Sequence, residues 1–286
     1  MESYIQKGDL IVFDDKHLLY CGDSTKEESY QFFKEMATMT LTSPPYNVGK
    51  NNYGSDLGRS QKYLTKSDDI KSDEEYLELL SSVLENSLKR STYVFWNITH
   101  TSGNKISLID FNYKYKLKYV DTIIWKKSTT LPAIEPNVLN SDYEYIYIYT
   151  EIKDNGRHIR IGQDFRGTLS NVIETNRNMN NEYAQIHSAL MTLSLAEKLI
   201  TQFTNENDIV LDPFGGLGTT MMGCIKNNRR CCSIEVQPFY CEKTIERYLD
   251  FVVGKPNVKI IRNGETIPYE KVRELCQKDQ FNIFDF

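Results

Sequence analysis

The chain is predicted to fold as an α/β protein built on a doubly wound, mostly parallel sheet, and three observations predict it. Segments of helical and strand periodicity alternate along most of the 286 residues. Residues 208–235 read as strand, glycine loop, helix and strand. The tetrapeptide Ser43-Pro44-Pro45-Tyr46 falls at the end of a predicted strand, where open α/β sheets place ligands.

Taken in order, residues 9–20 alternate apolar and polar side chains as two short strands, and Cys21-Gly22-Asp23-Ser24 supplies a turn and a helix cap. A helix through Phe33 and a strand over 39–42 are expected next. Residues 47–72 are polar and rich in Gly, Asn, Ser and Lys without a sustained period, which reads as a mobile loop beside the site. Tyr76, Leu79, Leu80, Val83, Leu84 and Leu88 have helical spacing within 73–90, and 92–98 follows as a buried strand. A helix over 102–111, a strand over 119–125 and an alternating strand over 144–150 come next. The pattern then fails from 151 to 185, where Gly, Asn and Arg are frequent, and this is the expected recognition region. A helix over 194–203, a strand over 208–211, a helix over 219–228, a strand over 231–235 and a helix over 238–251 complete the alternation. The tail 254–286 carries no motif and is expected to serve packing or a dimer surface. The whole reads as one domain with insertions.

Composition narrows the class. The net charge is -5, with acidic residues crowded over 68–85, while 89–127 carries eight basic residues against Asp110 and Asp121. That excludes a protein coating nucleic acid indiscriminately and allows one basic face for a phosphate backbone. No apolar run approaches the roughly 20 residues that span a bilayer, and the first residues lack signal-peptide character, so a soluble cytoplasmic protein with no membrane partner is expected. The six cysteines, at 21, 224, 231, 232, 241 and 276, form no Cys-x-x-Cys pair and have no histidine spaced to complete a zinc site. Buried reduced thiols and no metal are expected.

The loop Asp212-Pro213-Phe214-Gly215-Gly216-Leu217-Gly218-Thr219-Thr220 departs from the Gly-x-Gly-x-x-Gly pattern of a pyrophosphate cradle. Its glycines permit positive φ and close approach of a ligand, and the helix starting near Thr219 offers unpaired N–H groups. A small zwitterion suits such a site, its carboxylate meeting the amides and its ammonium meeting Asp212. Glu235 ends the next strand 23 residues beyond Asp212, near the offset at which an acidic residue holds a ribose hydroxyl. Amino acid, ribose and adenine together compose S-adenosylmethionine.

With these motifs the chain resembles the amino-methyltransferases of DNA, in the circularly permuted beta class of restriction-modification systems, whose catalytic motif precedes the cofactor motif. The resemblance covers roughly residues 10–249 and implies a Rossmann-like S-adenosylmethionine-dependent methyltransferase fold. It implies that Ser43, Pro44, Pro45 and Tyr46 are catalytic and that Asp212, Pro213, Phe214, Gly216, Gly218, Thr219 and Thr220 hold the methionine part of the cofactor. It further implies that Glu235 binds the ribose and that Asp23 lies by the adenine. The family's His-Pro appears as His187-Ser188, so His187 matches as a cofactor-pocket residue and the proline does not. The family's Trp-Lys resembles Trp125-Lys126, and the acidic residue before the following apolar strand resembles Glu144.

An exocyclic amino nitrogen is a poor nucleophile because its lone pair is delocalised, so catalysis needs acceptors that hold the amino hydrogens as the nitrogen pyramidalises. The Ser43 hydroxyl and the Pro44 carbonyl are the candidates. Tyr46 is expected to offer a stacking face to a base flipped out of double-stranded DNA. No cysteine adjoins the prolines, which disfavours a covalent carbon-5 mechanism. The resemblance associates Ser at the first position chiefly with cytosine N4 and Asp chiefly with adenine N6, so N4-cytosine methylation is expected, with N6-adenine as the alternative. Methylation of RNA or of a protein amide, and a non-catalytic DNA-binding module, are the remaining readings. Asn47, Lys50, Arg157, Arg160 and Arg166 are the expected DNA contacts, because arginine can read guanine bidentately. A cognate restriction endonuclease and a homodimer are partners that the resemblance suggests.

Overall fold

The computed structural model describes residues 3–47, 71–128, 136–162, 164–175, 191–254 and 256–274. Within them the predicted alternation forms β1 (Leu10–Phe13), β2 (His17–Cys21), β3 (Ala37–Thr42), α1 (Asp73–Leu88), β4 (Ser91–Ile98), α2 (Lys105–Lys114), β5 (Tyr119–Lys127), β6 (Tyr143–Thr150) and β7 (Val172–Thr175). It continues with α3 (Leu193–Phe203), β8 (Ile209–Asp212), α4 (Thr219–Lys226), β9 (Arg230–Glu235), α5 (Pro238–Phe251), β10 (Val258–Arg262) and β11 (Glu265–Pro268). The strands join one sheet in the order β11-β10-β1-β2-β9-β8-β3-β4-β6-β5-β7.

The centre of that sheet, β2-β9-β8-β3-β4, is parallel throughout. Its strands are covered on both faces, as parallel sheets require. Along β4, Tyr93 and Phe95 face the cluster that holds Leu195, Leu199 and Phe203 of α3 and Met221 of α4. Val94, Trp96 and Ile98, one residue out of phase, face Leu80, Val83 and Leu84 of α1 and Leu108 and Phe111 of α2. This is the double winding that the sequence predicts. Outside the centre, β1 and β10 on one side and β6 on the other pair antiparallel with their neighbours. The edge strand β7 pairs parallel with β5, and the one continuous parallel block is the part of the sheet that carries the motifs.

Local chemistry sets the helix starts. Ser72 accepts from the Glu75 amide at 3.2 Å while the Glu75 carboxylate accepts from the Ser72 amide at 2.9 Å, a reciprocal cap that opens α1. Thr192 caps α3 through the Leu195 amide, and Pro238 occupies the first turn of α5.

One expectation fails, and the tail, expected to serve packing or a dimer surface, packs through a hairpin and the core residues Val258, Ile260, Tyr269 and Val272. The helix predicted through Phe33 is only a 3-10 turn at Glu27–Tyr30, because the Tyr30 hydroxyl donates back to the Ser24 carbonyl at 3.0 Å and its ring sinks beside Ile209 and Leu211. The tail contains the hairpin β10-β11, which extends the sheet beyond β1. Its turn is Asn263-Gly264, with φ of 51° and 82°, the left-handed pair that an Asn-Gly turn favours. Cys21, Cys224, Cys231, Cys232 and Cys241 are buried and unbridged, as expected, while Cys276 lies outside the described residues. Among the described residues no helix is long and apolar enough to cross a membrane.

Candidate active site

The parallel centre brings its strand ends to one edge. In register across it stand Cys21 beside Glu235, Asp212 beside Ser233, Thr40 beside Leu211, and Thr42 beside Trp96. The segments that leave these strands are Gly22-Asp23, Asp212 through Thr220, and Ser43 through Tyr46. Motifs about 170 residues apart in the chain thus occupy neighbouring strands, and the Thr42 hydroxyl donates to Asp212 Oδ1 at 2.7 Å.

Asp212 also accepts from the Phe214 amide at 3.1 Å. It is buried, and burial holds its carboxyl above the ordinary carboxylate range even though the nearby Thr220 and Thr42 hydroxyls and the Phe214 amide favour the ionised form. Beyond it, Gly216 and Gly218 have φ of 52° and 72°. A Cβ on Gly218 would stand 2.7 Å from Thr244 Cγ2, so this turn needs glycine on two counts. Thr219 and Thr220 start α4 inside the protein. The Thr220 hydroxyl, although close enough to influence Asp212, makes no hydrogen bond of ordinary geometry among the described residues.

The next strand end carries Glu235, whose Oε2 accepts from the Gly216 amide and whose Oε1 accepts from the Gln237 amide, each at 2.8 Å. Burial nevertheless outweighs those donors and pushes its carboxyl up to about 7. The Gly22 amide donates to the Glu235 carbonyl at 2.9 Å, so Asp23 follows directly beside it. Asp23 is exposed and folds its own turn by accepting from the Thr25 amide and hydroxyl at 2.9 and 2.8 Å.

On the other side of Asp212, the Ser43 tetrapeptide is fixed through its backbone. The Tyr76 hydroxyl donates to the Pro45 carbonyl at 2.6 Å, and Asn104 Nδ2 donates to the Tyr46 carbonyl at 2.6 Å. No described residue donates to the carbonyl of Pro44, a buried residue, while Ser43 is partly exposed. The expected stacking face of Tyr46 is largely covered. The residue is 9% exposed and its ring packs in the cluster of Trp96 and Tyr76, because its hydroxyl reaches inward to Glu144 Oε2 at 2.6 Å. The Ser43 hydroxyl lies 3.1 Å from the Tyr46 hydroxyl.

Four further contacts support the site and its strands. The Thr244 hydroxyl donates to the Gly216 carbonyl at 3.0 Å, and Arg247 donates to the Leu217 carbonyl at 2.8 Å, so α5 braces the glycine loop from below. Lys127, not Lys126, forms the ion pair with Glu144, at 2.7 Å. Trp125 serves the fold, its Nε1 donating to the Thr175 hydroxyl at 2.8 Å. The sole sequence signal for the first two is the inward helical phase of Thr244 and Arg247.

Of the residues expected to contact DNA, Asn47, Arg157, Arg160 and Arg166 lie among the described residues. Asn47 is 2 % exposed, and its side chain donates to the Lys71 and Gly103 carbonyls at 3.1 and 2.8 Å and accepts from the Lys71 amide at 2.9 Å. It ties the end of the Pro-Pro turn to Lys71 and Gly103. Arg157 and Arg160 sit at the opposite edge of the sheet. Since β6 runs antiparallel to β4, with Thr150 opposite Tyr93, the segment after β6 starts at the amino ends of the central strands. There Arg157 pairs with Asp121 at 2.7 Å and the Arg160 amide donates to the Tyr93 hydroxyl at 3.1 Å. Arg166 follows Phe165, whose ring meets Phe203 at the end of α3, also at the amino edge. Lys50 and His187 lie outside the described residues.

A family model of the N6 and N4 type, described as DNA methylase, matches residues 37–246. Among curated relatives, the type II methyltransferase M.BglII of Bacillus subtilis is 25% identical over 93% of this chain and 77% of its own length. The orphan methyltransferase M.BamHII of Bacillus amyloliquefaciens is 39% identical over 23% of this chain, a stretch that spans only 25% of that relative. Among solved structures, the PvuII DNA methyltransferase, named as cytosine-N4-specific, is 16% identical with a TM-score of 0.62 and covers 92% of each chain. A putative DNA modification methylase of Thermus thermophilus in complex with S-adenosyl-L-methionine is 22% identical with a TM-score of 0.56, covering 84% of this chain and 96% of that one. These structural likenesses show a shared Rossmann-like methyltransferase fold.

Proposed function

Because the chain belongs to the DNA methylase family of the N6 and N4 type, we propose that it transfers a methyl group from S-adenosylmethionine to the N4 amino group of a cytosine flipped out of double-stranded DNA. The observation that carries this reading is the junction of the two motifs, Thr42 to Asp212 at 2.7 Å, at the carboxyl edge of the parallel strands.

The residues at that edge fit the cofactor. Asp212 is a buried acceptor for an ammonium group, and the start of α4, where the Thr220 hydroxyl makes no hydrogen bond of ordinary geometry among the described residues, suits a carboxylate. On this reading Pro213, Phe214, Gly216, Gly218 and Thr219 would complete that side, Glu235 would hold the ribose hydroxyls and Asp23 would lie by the adenine. When bound, S-adenosylmethionine supplies a methyl group activated by a sulfonium. The chain's own task is to raise the nucleophilicity of the amino nitrogen. The Ser43 hydroxyl and the Pro44 carbonyl accept its two hydrogens, and they gain strength as the nitrogen pyramidalises. Proline at 44 and 45 fixes that carbonyl without adding a competing donor.

Ser43 in place of Asp favours cytosine, as does the fold neighbour named as cytosine-N4-specific. Incubation with mixed-sequence DNA and labelled S-adenosylmethionine, followed by digestion to nucleosides, tests the assignment. N4-methylcytosine is expected. N6-methyladenine overturns the base and keeps the chemistry, and an unmethylated DNA pool with proven cofactor binding overturns the DNA reading. Membership of a restriction-modification system, with a cognate endonuclease, and a homodimeric assembly belong to the same proposal. The type II names of the relatives support the first, and protection of methylated DNA from a restriction enzyme of the same recognition sequence tests it. Sedimentation tests the second.

A further inference from the structure

Four side chains meet behind Ser43, and their bonding admits one arrangement of hydrogens. Glu144 is the second residue of β6, with its side chain only 9% exposed. Its Oε1 pairs with Lys127 Nζ at 2.7 Å, and its Oε2 receives the Tyr46 hydroxyl at 2.6 Å and Asn97 Nδ2 at 3.1 Å. A carboxylate paired with an ammonium group only accepts, so Tyr46 commits its single hydrogen to Glu144. The Tyr46 oxygen can then only accept from Ser43, 3.1 Å away, and the single hydrogen of Ser43 is committed there. Only lone pairs remain on Ser43 Oγ.

We infer that Glu144, paired with Lys127, is a positioning residue that acts through Tyr46 to fix Ser43 as a pure hydrogen-bond acceptor toward the amino group of the target base. The inference rests on the proposed role of Ser43 in methyl transfer and adds how that role is set. A rotating hydroxyl would present its hydrogen to the amino group part of the time, which repels. The chain of hydroxyls removes that orientation, and Ser43 then does what a carboxylate would do at the same position. It also leaves Ser43 no hydrogen for a ring nitrogen, so this contact serves the amino group of cytosine or of adenine alike.

Stability alone does not account for such a group. A buried ion pair loses much of its attraction to desolvation, and well-packed apolar replacements are often as stable. The backbone of the tetrapeptide has its own supports, Tyr76 on the Pro45 carbonyl and Asn104 on the Tyr46 carbonyl. Replacing Glu144 therefore releases the hydroxyls without removing the turn that carries them.

The test uses the full chain with Tyr46→Phe, Glu144→Gln and the double variant, reading single-turnover methyl transfer to mixed-sequence DNA and affinity for S-adenosylmethionine. Each single variant is expected to slow transfer roughly 10- to 100-fold with cofactor affinity within about twofold, the scale of a misplaced catalytic group. The double variant should be no slower than the worse single one, since both break the same chain. An unchanged rate in either single variant, multiplied losses, or an equal loss of cofactor affinity overturns the inference. If Tyr46→Phe fails to fold, Glu144→Gln keeps the shape of the site, and Glu144→Asp should recover part of the rate. A readout without turnover is the ring carbon resonance of Tyr46 in protein labelled with 13C-tyrosine, which must move in Glu144→Gln. An unmoved resonance overturns the hydroxyl chain. A wild-type protein inactive on every DNA overturns the functional reading instead, and the resonance still decides the chain.

Discussion

The Thr42 hydroxyl and Asp212 Oδ1, 2.7 Å apart and both buried, join the strand that ends in the Pro-Pro turn to the strand that ends in the glycine loop. A hydrogen bond to a buried carboxylate contributes more than one between neutral groups. Thr42→Val keeps the shape and removes the donor. It should lower unfolding free energy by about 1–3 kcal/mol and weaken cofactor binding, read by urea denaturation and calorimetry. Unchanged cofactor affinity would separate Asp212 from the ligand.

The two positive-φ glycines of the loop should differ. Gly218→Ala places a Cβ 2.7 Å from Thr244 Cγ2 at a φ of 72°, whereas Gly216→Ala, at 52°, meets nothing nearer than 3.9 Å. Gly218→Ala should therefore cost more stability, with about 1 kcal/mol or more of difference. Combining Gly218→Ala with Thr244→Ser, which removes the opposing methyl, should restore part of the loss in a thermal melt.

Glu235 should make stability fall as pH rises. Its folded carboxyl titrates at about 7 against an ordinary 4.5, so the folded state binds more protons between those values. The contribution is complete below the unfolded value and is lost as pH passes through 7, a change on the order of 3 kcal/mol in the protein without ligand. Glu235→Gln should flatten that slope in denaturation measured from about pH 4.5 to 7.5. If Glu235 holds ribose hydroxyls as an acceptor, cofactor affinity in the wild type should rise over the same window.

The arginines of the irregular segment should not read sequence. Arg157 spends its charge on Asp121, with its side chain 75% exposed, and Arg160 and Arg166 share its edge of the sheet. Replacing all three by alanine should leave the set of methylated sequences unchanged, as deep sequencing of methylated random DNA would show. A relaxed set would return them to the interface.

Most of the fold was legible where one strand's own residues settle its environment. The strands β3, β4, β8 and β9 are buried along almost their whole length, and the strand, glycine loop, helix and strand unit announces itself by spacing. The hairpin β10-β11 carries its own local signal, since Asn263-Gly264 between two short alternating runs favours a tight turn. The 3-10 turn was not legible, because it results from Tyr30 turning back onto Ser24.

By itself the sequence determined the chemistry proposed for this protein. Ser43-Pro44-Pro45-Tyr46 and the Asp212 glycine loop are local, and their residue types set what they can accept, donate or cradle. What only the tertiary structure decided is direction and partnership. Whether β6 runs with or against β4 depends on hydrogen bonds between distant segments, and its antiparallel course carries Arg157 and Arg160 away from the site while bringing Glu144 to it. No periodicity records that choice, because an alternating strand has the same pattern read in either direction.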